Sequence, residues 1–269
     1  MNRLWIPVLL CAVYFIPRSQ SGPFLEPSSL WPFGFALMAV AFYTPFAWWL
    51  FRLDPDARVM SLSRLAFGSI GGILAVYLLY GIGPGLAAKL FGAPVGVGIG
   101  VIQVASFIRG SDMIPLWMTI LAYTISVGLV EEGSKAFAAR PECFHPVLIR
   151  AAMGFMAGIG FGVVEALTYS YRMYAGSADW PIYVVRFVLC VGSHGVMSAI
   201  AVLSLPEDWW DFDRIWVSIL RLLPIAFLHG TYDALLVRNH EGWAIVVDIA
   251  TFAALPLILW WQQEQLGEV

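Results

Sequence analysis

The sequence predicts an all-α fold: a polytopic transmembrane helical bundle of about eight spans with a polar layer in its second half. Three observations predict it. Of 269 residues, 60% are hydrophobic and 12% charged, with a mean hydropathy of +0.78, whereas about a quarter of a soluble domain is charged. Apolar runs of membrane-spanning length recur along the whole chain. In the second half, Glu131, Glu132, Lys135, Glu165, His194, His229 and Asp233 fall inside such runs, although a charged side chain at the bilayer centre costs about 2.5–3.5 kcal/mol on insertion scales.

Taken in order, the first apolar run, residues 4–16, is too short to span alone and reads as a first span or as a signal segment without a clean small-x-small cleavage site. Further runs at 30–50, 65–86, 114–137, 147–169, 182–205, 215–237 and 243–261 are each close to the ~20 residues that bridge the hydrocarbon layer. Residues 92–107 are apolar but Gly-rich, which predicts a re-entrant or surface segment. The polar stretches 52–64 and 206–214 predict loops. Twelve Trp and ten Tyr suit a protein whose amphipathic rings gather at headgroup depth.

We read residues 1–269 as one integral membrane domain: amino-terminal helices over 1–110, a core over 111–240, and a last span and tail over 241–269. A net charge of -3 without any Lys/Arg run excludes nucleic acid as a partner and leaves the lipid bilayer. Cys11, Cys143 and Cys190 lack CxxC spacing, so they read as small hydrophobes. With eight spans, one side of the membrane holds eight basic residues and the other five, which predicts a multi-pass protein with both termini cytoplasmic.

In an antiparallel helical hairpin, residues equidistant from the turn lie at one depth. Glu131 and Glu165 are centred near residue 148, beside Pro146; Glu165 and His194 are centred next to Pro181; His194 and His229 are centred at Asp211 and Phe212. An error of one residue moves the level by about 1.5 Å, so these groups form one predicted layer. Gly154, Ala157, Gly158, Gly160 and Gly162 line the helix that carries Glu165 and predict close helix approach.

Each motif has a plain reading too. Glu131 and Lys135 at i,i+4 neutralise one another, which accounts for one glutamate and not for Glu132. Adjacent helical residues point about 100° apart, so one carboxylate faces the centre while the other meets Lys135 or a neighbour. Glu165 follows Phe161 by one turn; by itself it is a cross-helix hydrogen bonder. His194 precedes Ser198, and His229 precedes Asp233, by four residues. A carboxylate that accepts one ring N–H fixes the tautomer and raises the basicity of the other nitrogen. Arg186 and Arg221 read as snorkelling to the interface.

The order Glu-Glu-x-x-Lys, Phe-x-x-x-Glu, His-x-x-x-Ser, His-x-x-x-Asp, one motif per membrane segment, resembles the PrsW family of intramembrane proteases, which is grouped with type II CAAX prenyl proteases and bacteriocin-processing enzymes. The resemblance covers about 131–233; earlier residues match only in being apolar. It departs in having Ala166 after the third acidic residue and Ser198 where relatives more often carry Thr. It implies a peptidase of the cell membrane, that of bacteria, cutting a membrane-anchored protein such as an anti-sigma factor. Glu131, Glu132, Glu165, His194, His229 and Asp233 are its expected catalytic residues, with Lys135, Phe161 and Ser198 in support.

Glu131 is the expected general base, with Glu132 sharing that role or holding Lys135, and His229, oriented by Asp233, donating to the oxyanion or binding a metal. Two forms of the centre stand at this point. His194, His229 and a glutamate, with Glu165 as the expected third donor, form an N/O set suited to zinc; alternatively Glu and His activate water without metal. From other classes, a transporter or channel would use the same residues as a proton or cation site, and a scaffold would use them only to specify helix association.

Overall fold

Every described segment that the pattern marks as apolar is helical, because backbone polar groups in lipid must be paired within the segment. The structure is a computed structural model that describes residues 31–111, 113–139, 146–172, 180–206 and 215–267. The expected first run at 4–16 lies outside them, as do Cys11, Cys143 and most of the 206–214 connection.

The helices are α1, Trp31–Leu50; α2, Pro55–Gly81; α3, Pro84–Phe91; and α4, Ala93–Arg109. Helix α5 runs from Leu116–Tyr123 through Thr124–Gly128 into Leu129–Ala139. Then come α6, Val147–Arg172, and α7, which joins Trp180–Val184, Val185–Cys190 and Val191–Ser204. Two long helices close the bundle: α8, Ile215–Val237, and α9, Glu241–Leu266.

Six of these are long and apolar enough to cross a membrane, and α4 is a shorter apolar helix. The paired glutamates and Lys135 dilute the apolar character of α5, which is not among the six.

One sequence expectation is corrected. Residues 52–64 are mostly helix rather than loop: Asp54 accepts from the Ala57 amide at 2.8 Å, Pro55 opens the first turn, and α2 extends back to meet them. The Gly-rich stretch at 92–107, expected as a re-entrant or surface segment, is a helix shorter than the six of spanning length, and Gly92, at φ +95, makes the turn from α3 into it.

The centre of the bundle is α6, whose span Val147–Tyr171 is 89% buried, against 22% for α9 and 17% for α2. Its small residues divide between two partners. Gly154, Gly158 and Gly162 face α7, while Ala157 and Gly160 face α2. A Cβ on Gly158 would overlap the carbonyl of His194, so only glycine permits this approach. Likewise a Cβ on Gly230 of α8 would strike the Thr124 backbone, which draws α8 onto α5.

Helices α2, α5 and α7 each contain one π-type wide turn, at Gly68–Gly72, Thr124–Gly128 and Val185–Cys190. Such turns release carbonyls from the regular ladder. Tyrosines supply donors to two of these turns: the Tyr80 hydroxyl donates to Ser126, and the Tyr43 hydroxyl to Val188.

Candidate active site

Four helices bring their polar residues to one place. Glu131, Glu132 and Lys135 sit one turn beyond the wide turn of α5; Phe161 and Glu165 come from α6; His194 and Ser198 from α7; His229 and Asp233 from α8. Gly158 and Gly230 set the helix separations at which these side chains meet.

The paired glutamates divide their roles as their 100° offset requires. Glu132 is fully buried, and its Oε1 accepts from Lys135 Nζ and from His229 Nδ1, both at 2.7 Å. Glu131 faces the other way. Its Oε2 has no hydrogen-bond partner, with Lys135 Nζ at 3.5 Å and His229 Nε2 at 3.8 Å. Lys135 is itself fully buried and lies 4.7 Å from the centre of the Phe161 ring, so that ring caps the ammonium.

Lys135 Nζ also reaches His194 Nδ1 at 2.9 Å, while His194 Nε2 lies 2.6 Å from Glu165 Oε2. An ammonium can only donate, so Nδ1 accepts and Nε2 carries the proton that Glu165 receives. The two imidazoles stand edge to face with centroids 5.6 Å apart.

Sequence spacing made Asp233 the carboxylate that orients His229. In the structure Glu132 holds Nδ1, and Asp233 Oδ2 lies on the opposite side of the ring, 3.6 Å from Nε2. The Ser198 hydroxyl makes no hydrogen bond to His194: it is buried against Gly158 and unpartnered.

Above this floor opens a cavity of about 760 Å³, lined by Glu131, Glu165, His194, His229 and Asp233 together with Arg186, Tyr169 and Tyr232. It opens the floor of the site to water. Arg186 stacks 4.3 Å over the Tyr169 ring on the cavity wall. In an unbroken α-helix it would sit about 80° from His194, and the wide turn, which absorbs roughly one residue, reduces this to about 20°. A second residue escaped the sequence reading. Asp248, inside α9, accepts from Ser193 at 2.6 Å, tying the last helix to α7 beside His194. Its signal was a lone carboxylate within an apolar run.

Glu131, His194 and His229 each present one donor atom within 4.8 Å of the others, and all three are buried. Two imidazoles and a carboxylate make the open three-ligand set of a catalytic metal centre, and the orphaned Glu131 Oε2 is an oxygen such an ion would satisfy. This set takes its carboxylate from Glu131, whereas Glu165 is engaged with His194.

A family model, PrsW family intramembrane metalloprotease, matches residues 82–261. The chain belongs to the PrsW family. It is therefore a peptidase, a multi-pass membrane protein whose substrate is a membrane-embedded protein. The PrsW match reaches from the end of α2 into α9, well beyond the four motifs on which the resemblance was first seen. No curated protein and no solved structure matches the chain.

Proposed function

We propose that this chain hydrolyses a peptide bond of its substrate at the floor of the cavity, with Glu131 as the general base. The observation that supports this reading is the Glu131 carboxylate at the cavity floor beside His194 and His229: its Oε2 is sealed from solvent without a hydrogen-bond partner, while the side chain keeps 12% of its surface open. The carboxylate's other oxygen, Oε1, accepts a proton from a water in the cavity and passes it to the leaving amine, which leaves Oε2 to the metal donor set.

Glu132 is a positioning residue. By accepting the His229 Nδ1–H it fixes the tautomer that turns the Nε2 lone pair toward Glu131. Lys135 and Glu165 do the same for His194 from both ring nitrogens. Asp233, 3.6 Å from His229 Nε2, shares the water-facing side of that ring.

Glu131, His194 and His229 would hold a metal ion, which we take to be zinc from its preference for N/O donors. When bound, zinc polarises the scissile carbonyl and lowers the pKa of water. Ligation by His194 requires its ring to release Lys135 or Glu165, since both nitrogens are engaged. We place the enzyme in a bacterial cell membrane, with a single-pass protein such as an anti-sigma factor as substrate.

Replacement of Glu131 by Gln tests the assignment. The variant keeps side-chain shape and is predicted to accumulate in the membrane at wild-type level while leaving a co-expressed single-pass reporter uncut. Cleavage at the wild-type rate would overturn it.

A further inference from the structure

The cavity carries more charge than hydrolysis uses. Besides the acidic floor it is lined by two arginines, Arg109 from the end of α4 and Arg186 from the wide turn of α7. Each guanidinium rests on aromatic rings: Arg109 lies 5.8 Å from Tyr80 and 5.4 Å from Tyr123, and Arg186 lies 4.3 Å from Tyr169. Stacking engages the face of a guanidinium and orients its planar fork of N–H donors, the part that binds a carboxylate through two parallel bonds.

Their depth is set by the helices. Tyr123, beneath Arg109, precedes Glu131 by eight residues in α5, and Arg186 precedes His194 by eight residues in α7. At 1.5 Å per residue the backbones of Tyr123 and Arg186 lie about 12 Å along the axis from the reacting layer, but the Arg186 guanidinium rests on Tyr169, four residues from Glu165 in α6, and so stands about 6 Å from that layer. They face the same cavity, so they lie on the same side of that layer. A peptide must be extended to be cut, and at about 3.3 Å per residue it covers about 6–12 Å in two to four residues.

Resting on the proposed function, we infer that the arginine rim selects substrates that carry an Asp or Glu two to four residues from the bond that is cut. The floor fixes where hydrolysis occurs; the rim fixes which segment arrives there.

The test uses the full-length protein in phosphatidylcholine vesicles with single-pass reporters that differ only at those positions on either side of the cut: Asp, Gln or Lys. The expected result is a kcat/KM about tenfold higher for Asp than for Gln on one side of the cut. That ratio falls to near one in Arg109→Gln and Arg186→Gln, and Arg186→Glu turns the preference toward Lys. A merely structural role for the arginines lowers all reporters together and leaves the ratio intact, which would overturn the inference. So would wild-type indifference to reporter charge, or a preference that follows added phosphatidylglycerol instead of the reporter. Glu131→Gln separates the two readings. If it is silent while wild type cuts all reporters alike, only the rim assignment falls; if it cuts them, the proposed function falls and the rim assignment with it.

Discussion

Replacing Glu132 by Gln separates the two neighbouring carboxylates. Glu132 Oε1 is fully buried and accepts from both Lys135 and His229 at 2.7 Å, whereas Glu131 Oε2 accepts from neither. Without the Glu132 charge, the buried Lys135 ammonium keeps Glu131, at 3.5 Å, as an acidic neighbour. Removing one partner of a buried pair costs about 3–5 kcal/mol; Gln retains an acceptor oxygen, so the low end, about 3 kcal/mol, applies. That corresponds to a fall of roughly 6–12 °C in unfolding midpoint. Thermal unfolding of the purified protein in detergent, followed by emission from its twelve Trp residues, measures it. Glu131→Gln serves as the control and is predicted to unfold within about 2 °C of wild type. Both variants lose cleavage, but only Glu132→Gln loses stability. If the two melt alike, Glu132 does not carry Lys135 and His229, and the division of labour between the glutamates is wrong.

Two further outcomes follow from the packing. Gly158→Ala places a Cβ into the His194 carbonyl and pushes α7 away from α6; a displacement near 1 Å at a reacting group lowers turnover by about 10²-fold, read as reporter cleavage by protein still present in the membrane. Ser198→Ala removes a buried hydroxyl without a partner; stability is predicted unchanged or slightly raised and cleavage within about twofold of wild type, and a tenfold loss in the same reporter assay would show that the hydroxyl acts in the reaction.

Much of the site was legible because lipid penalises its residues so strongly. Any carboxylate or imidazole in an apolar run stands out, and the hairpin symmetry that levelled Glu131, Glu165, His194 and His229 needs only approximate turns. The stripe from Gly154 to Gly162 likewise announced close packing, and α7 lies where the stripe requires it. What was not legible depends on helix phase. A π-type turn has no residue signature, so the rotation that brings Arg186 onto the face of His194 could not be read from spacing. The same holds for His229: spacing on its own helix offered Asp233, but the ring is held across helices by Glu132, because α5 turns that carboxylate inward. The helical start of α2 was hidden by its charges, which cap and neutralise its first turns.

The central claim is that Glu131, His194 and His229, from three helices, form one hydrolytic centre around a metal ion. X-ray absorption at the zinc edge on the loaded, purified protein tests it most directly. The account predicts two imidazole nitrogens and a carboxylate oxygen at about 2.0–2.2 Å, with one imidazole lost in His194→Ala and one in His229→Ala. A spectrum that neither substitution changes, or one dominated by sulfur, would contradict it.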